Sequence, residues 1–111
     1  MQKVRLKRPV PPKGLSKPAR EFWTRLQGEY EITDAGGLAV LEQAARAFHR
    51  AEDARAMLDR EGCVMKDRWG QAKTHPAAAV ERDARAGVLA ALRGLNLDLE
   101  PVKKIGRPPG R

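Results

Sequence analysis

The segment between Thr33 and Gly62 constrains this chain more than any other. Within it Leu38, Leu41, Ala44 or Ala45, Phe48, Ala51, Ala54 and Leu58 recur at spacings of three and four, which lays one apolar stripe along an amphipathic helix. Thr33 is expected to cap that helix, with Asp34 following where a helix N-terminus favours negative charge, and Gly62 supplies the stop after Glu61. About 28 residues rising about 1.5 Å each make a rod of roughly 42 Å. Glu42 and Arg46 stand four apart on its more polar face, the spacing of a helical ion pair.

Two further helices flank the rod. Ser16 is a good N-cap, Pro18 is tolerated in a first turn, and Ala19, Phe22, Trp23, Leu26 and Tyr30 again recur at three and four, predicting a helix that ends near Tyr30. Residues 63–73 change character, and their alternation about Trp69-Gly70 predicts a short β-hairpin or an ordered loop. Pro76 then opens a third helix capped by His75 or Thr74, with Ala77, Val80, Ala84, Val88, Ala91 and Leu95 as its buried stripe and Gly94 and Asn96 at its end. A connector of about a dozen residues folds the second and third helices into an antiparallel pair, with the first packed across one end. The expected fold is all-α: a short first helix plus a long helical hairpin. It divides the chain into a basic flexible arm over 1–15, a helical core and oligomerisation domain over 16–100, and a basic flexible tail over 101–111.

At 111 residues such a core is modest, and self-association is the expected source of further stability. Alanines cover more than one face of both long helices, Ala39, Ala44, Ala45, Ala47, Ala51, Ala54 and Ala56 on one and Ala77, Ala78, Ala79, Ala84, Ala86, Ala90 and Ala91 on the other. Small side chains permit lateral packing against other copies, although alanine also serves helix propensity alone. Cys63 is the sole cysteine, so neither a disulfide framework nor a cysteine-based metal site can be built, and a reducing cytosolic setting is expected. No apolar run approaches the roughly 20 residues that span a bilayer, so a soluble chain with no membrane partner is expected.

The charge sits at the ends. Residues 1–15 carry Lys3, Arg5, Lys7, Arg8 and Lys13 and residues 101–111 carry Lys103, Lys104, Arg107 and Arg111, with no acid in either segment. Of the 22 basic and 14 acidic residues, 16–100 keep 13 and 14, a net of −1. Acid-free basic arms on a nearly neutral core are the pattern expected of segments that contact phosphates and release counterions, and these nine cations are the candidate DNA-binding residues. Pro9, Pro11, Pro12 and Gly14 in one arm, and Pro101, Gly106, Pro108, Pro109 and Gly110 in the other, exclude regular helix and favour extended conformations. The run Lys103-Lys104-Ile105-Gly106-Arg107-Pro108 resembles an AT-hook, whose centre lies in the narrow minor groove of A·T-rich DNA. Its second basic cluster is reduced to Arg111, which leaves minor-groove reading and plain phosphate contact both open.

Catalytic chemistry finds no foothold in the residues. His49 and His75 fall on different elements, and no Walker loop, HExxH or paired carboxylate beside a nucleophile occurs, so neither an enzyme nor a cofactor is expected. His49 is expected to pack on the rod, His75 to cap a helix, Cys63 to fill apolar space, Trp23 to lie in the core and Trp69 to cover the helix pair. A helix-turn-helix across Glu31 to Thr33 is the alternative DNA-binding arrangement. Its recognition helix would be far longer than that motif needs, with Glu42, Glu52 and Asp53 mixed among Arg46, Arg50 and Arg55. A non-catalytic helical adaptor whose basic tail docks an acidic partner is the other.

One ordered series carries a family resemblance. Leu15-Ser16, Ala19, Trp23 and Leu26 precede Ile32-Thr33-Asp34, Leu38, Leu41 and Ala44; Ala51, Leu58, Glu61-Gly62, Trp69-Gly70, His75-Pro76 and Leu92, Leu95 and Leu97 follow. Together these resemble the small terminase subunits of tailed bacteriophages over roughly residues 12–97. Many relatives run Leu-Gly-Leu-Thr-Pro into an Arg-rich tail, where this chain reads Leu95-Asn96-Leu97-Asp98-Leu99-Glu100-Pro101. The resemblance implies an oligomeric ring in the cytoplasm of a bacterial host. Such a ring binds double-stranded viral DNA and presents it to the large terminase subunit, which holds the ATPase and nuclease, while the small subunit has no active site.

Overall fold

A computed structural model describes residues 8–97. Three helices, α1 (Lys17–Tyr30), α2 (Ala35–Glu61) and α3 (Pro76–Leu95), account for most of them, with strands β1 (Val64–Lys66) and β2 (Ala72–Thr74) forming a small antiparallel hairpin between α2 and α3. The fold is all-α apart from that hairpin.

Each helix begins where a side chain satisfies a free backbone amide. The Ser16 hydroxyl accepts from the Ala19 amide at 3.3 Å, with Pro18 in the first turn. Asp34, not Thr33, caps α2: its backbone is still extended at φ −77°, ψ 150°, and its carboxylate accepts from the Gly37 amide at 2.8 Å. A carboxylate suits this position better than a threonine hydroxyl because it also meets the positive end of the helix dipole. At the third start the His75 ring accepts from the Ala77 amide at 3.0 Å through Nδ1. The α1–α2 turn is held by a residue that the stripe conceals, Gln27. It follows Ala19 and Trp23 at steps of four, is buried, and donates from Nε2 to the Ile32 carbonyl at 2.9 Å. Its own carbonyl accepts from the Glu31 and Ile32 amides, which stabilises the left-handed conformation of Glu31.

The pairing of α2 with α3 runs antiparallel, as contacts along it show: Ala54 and Leu58 cluster with Ala77, Gly87 comes up against Ala47, and Gly94 lies by Val40. Ala44, Ala47, Ala51 and Ala54 on one helix and Ala77, Ala84 and Val88 on the other are all buried. A seam of such small residues lets two backbones approach closely. α1 lies across the first half of α2. There Leu15, Ala19, Trp23, Ile32, Leu41 and Ala45 form the main core, joined by Leu26, Tyr30, Leu38, Leu95 and Leu97 and by Phe22, which stacks on Phe48 with ring centroids 4.7 Å apart. Leu15, just before α1, belongs to this core at 5% exposure.

Three expectations about burial are corrected. Val80 is 46% exposed, because the inward positions of α3 run 77, 81, 84 and 88 and Glu81 takes the second of them. There Glu81 bridges Arg55 of α2 at 3.3 Å and Arg85 at 3.0 Å, and an ion-pair bridge replaces an apolar contact at the seam. Asp59, followed by Glu81, holds the Arg55 guanidinium above its ordinary pKa. Trp69 does not cover the helix pair but is 75% exposed, and Cys63 is exposed too, because the hairpin stands off the helices instead of folding back on them.

The glycines of the long helices respond oppositely to a methyl group. A Cβ at Gly87 would meet the Ala47 Cβ at 3.6 Å, an ordinary contact, so Gly87→Ala is expected to raise stability by about 0.5–1 kcal/mol through helix propensity. A Cβ at Gly37 would come within 2.9 Å of both the Asp34 carboxylate and the Ile32 side chain. Gly37→Ala displaces the cap and is expected to cost about 1–2 kcal/mol despite the same propensity gain. Urea unfolding of the two variants checks the opposite signs.

Candidate nucleic-acid interface

Of the nine cations assigned to DNA contact, Arg8 and Lys13 are described and both are exposed. Lys3, Arg5, Lys7, Lys103, Lys104, Arg107 and Arg111, and with them the AT-hook-like run, lie outside the described residues. The structure instead shows how the described residues next to them, 13–16 and Leu97, are held.

The N-terminal segment is fastened by three hydrogen bonds. The Ser16 amide donates to His49 Nδ1 at 3.1 Å, Arg20 donates to the Leu15 carbonyl at 2.9 Å, and Arg46, already paired with Glu42 at 2.9 Å, reaches the Lys13 carbonyl at 3.5 Å. His49 is therefore a packing residue as expected, and a specific one, since it ties the start of α1 to the middle of α2. At the other end of the described chain, Leu97 packs on the same cluster that contains Leu15, and it lines a cleft of about 490 Å³ with Tyr30, Ile32, Asp34 and Val40. Lys13 and Leu97, near the first and at the last of the described residues, thus both lie against the half of α2 covered by α1.

Beside Lys13 the outer face of α1 adds cations that charge counting overlooked. Lys17, Arg20 and Arg25 are exposed and line, with Pro11, Glu21 and Thr24, a shallow groove of about 400 Å³. They were hidden in the nearly neutral sum for 16–100. The signal that separates them is local: no ion pair engages Lys17, Arg20 or Arg25 among the described residues, whereas Arg46, Arg55 and Arg85 are paired with Glu42, Asp59, Glu81 and Glu52.

Two further observations limit the chemistry. The exposed positions in the first nine residues of α2 are Ala35, Gly36, Ala39 and Gln43, so the start of that helix offers no cation to a DNA groove. The helix-turn-helix alternative lacks the basic recognition face it needs. Among the described residues no three His, Cys, Asp or Glu side chains gather to hold a metal ion, and no helix is long and apolar enough to cross a membrane. His75 Nε2 meets the Glu61 carboxylate at 2.7 Å while Nδ1 serves the helix cap, so both ring nitrogens are committed to holding the hairpin base. Among protein-family models, curated proteins and solved structures, none matches this chain.

Proposed function

We propose that this chain is a non-catalytic subunit of an oligomeric ring that binds double-stranded DNA through its basic terminal segments and presents it to a large terminase ATPase/nuclease. The role is that of a small terminase subunit in the cytoplasm of a phage-infected bacterium. The observation that supports the reading is that Leu15, two residues after Lys13, and Leu97, the last described residue, pack on one core cluster, from which the two basic segments would leave the same half of the molecule. Pooled there, nine cations and the adjoining Lys17, Arg20 and Arg25 make one polyanion-binding region rather than two unrelated tails. A ring repeats that region around the DNA, and repeated weak phosphate contacts then act together.

Support for self-association comes from the outward face of α3. Val80 and Leu89, 46% and 57% exposed, flank that face from opposite sides, and exposed Ala79, Ala86 and Ala90 lie between them together with Arg82, Asp83 and Arg93. Apolar and small side chains on a face that its own chain leaves uncovered suit a neighbouring copy. Light scattering coupled to size exclusion, at low and moderate salt and with and without duplex DNA, tests the reading. The expected result is a discrete assembly well above 12.3 kDa that shifts with DNA at low salt. A strict monomer indifferent to DNA overturns it and leaves an adaptor whose basic tail docks an acidic partner.

A further inference from the structure

The β-hairpin takes no part in the arrangement proposed above, yet it is the most exposed ordered element of the chain. Its register pairs Val64 with Thr74, Met65 with Lys73 and Lys66 with Ala72, and all six residues are exposed. Successive residues of a strand point to opposite faces, so Lys66 and Lys73, which are not cross-strand partners, present one cation on each face of the ribbon. At the tip, Trp69 is 75% exposed and the Arg68 guanidinium lies over its ring, 5.0 Å from the centroid.

The one acid in the hairpin is engaged in building the turn. The Asp67 carboxylate accepts from the Trp69 and Gln71 amides at 2.9 Å each, its amide donates to the Gln71 carbonyl, and Gly70 supplies the positive φ of 80° that the reversal requires. At the base the His75 amide donates to the Cys63 carbonyl at 2.7 Å, and His75 binds Glu61. The tip is thus a rigid platform presenting a cation and an aromatic ring at the far end of α2, about 20–40 Å along the rod from the roots of the basic segments.

We infer that this hairpin is a second duplex-DNA contact, which enters the major groove tip first; the inference rests on the DNA-binding reading above. A ribbon about 10 Å thick across its side chains fits a groove about 12 Å wide. Lysines on its two faces then reach the phosphates of the two groove walls, while Arg68 and Trp69 meet the base edges on the floor. The charge argues for a polyanion over a second copy of the chain. Like-charged hairpins repel, and lysines on short exposed strands oppose edge-to-edge pairing.

The two tryptophans make the test direct, because Trp23 is 3% exposed and Trp69 is 75% exposed. Full-length protein is titrated with a 30-base-pair duplex at 50 mM and 150 mM salt while intrinsic emission is followed. DNA is expected to quench or shift the emission, and Trp69→Phe is expected to replace the responding tryptophan and leave only the silent Trp23. Lys66→Gln with Lys73→Gln is expected to make the log–log salt slope shallower by about 1.8 per engaged subunit. Arg68→Gln with Trp69→Ala is expected to weaken binding about tenfold or more. Each variant must keep the parent far-ultraviolet circular dichroism, and Arg68→Gln alone, expected to weaken binding severalfold, serves if the double substitution does not. Emission and slope unchanged while DNA still binds overturn the hairpin contact and leave the basic segments in place. No DNA binding by the parent overturns both readings. A fall in assembly mass for Trp69→Ala, with DNA affinity unchanged per subunit, makes the hairpin a protein interface and overturns the inference.

Discussion

Trp23→Ala is expected to lower the unfolding free energy by about 3–5 kcal/mol, whereas Trp69→Ala is expected to change it by less than about 0.5 kcal/mol. The two residues have the same side chain in opposite surroundings. Trp23 is 3% exposed, in a cluster with Leu15, Ala19, Ile32, Leu41 and Ala45, and the two alanines are too small to close over the space that its loss would leave. The cost therefore includes a cavity as well as lost apolar transfer. Domains of this size have about 5–15 kcal/mol in total, so the Trp23 variant loses a large fraction of its stability and, at the low end of that range, stands near the unfolding midpoint unless assembly supports it. Assembly binds only the folded chain and raises apparent stability with concentration, so urea melts of both variants are compared at equal, and at several, protein concentrations. A loss of under 1 kcal/mol for Trp23→Ala at the lowest concentration would contradict the core described here.

That contrast marks where sequence and structure part. The helices were legible because local signals mark their bounds: Ser16 with Pro18, the Gly62 stop, and His75 with Pro76. Periodicity also placed Trp23, Leu41 and Leu58 in the core, since a helix can bury only one face. Trp69 and Val80 were misplaced for a common reason. Hydropathy ranks what a side chain prefers, while exposure depends on where the backbone carries it. A hairpin with three-residue strands is too short to fold its tip back on the helices, and on α3 the position facing Arg55 is the one Glu81 occupies. Gln27 was missed because a polar side chain breaks an apolar pattern even when the stripe runs through it. For the candidate site, charge counting found the basic segments and lost Lys17, Arg20 and Arg25 in a regional sum, which cannot tell a cation free in solvent from one bound to a carboxylate. That Leu15 and Leu97 both pack on one cluster could not be read at all, because more than 80 residues of chain separate them.

Deleting residues 101–111 is expected to make the log–log salt dependence of DNA binding shallower by about 3.6 per engaged subunit, for the four cations removed at about 0.9 each. Between 50 and 200 mM salt that difference amounts to about a hundredfold change in affinity for each subunit that contacts DNA. A ring makes the effect on the assembly larger still, because losses repeat around it. The slope is the informative quantity because it counts phosphate contacts and is insensitive to loss of active protein, which shifts the binding curve without tilting its salt dependence. Neutralising Lys3, Arg5, Lys7, Arg8 and Lys13 instead should remove up to about 4.5 from the slope, and the two effects should add if both segments track one duplex from their common root. If they fail to add, with either change alone removing nearly the whole slope, the segments bind as one unit and lose their grip together. If the C-terminal deletion leaves the slope intact while abolishing stimulation of a partner ATPase, that tail belongs to the protein partner, and DNA is held by the N-terminal segment together with the outer face of α1.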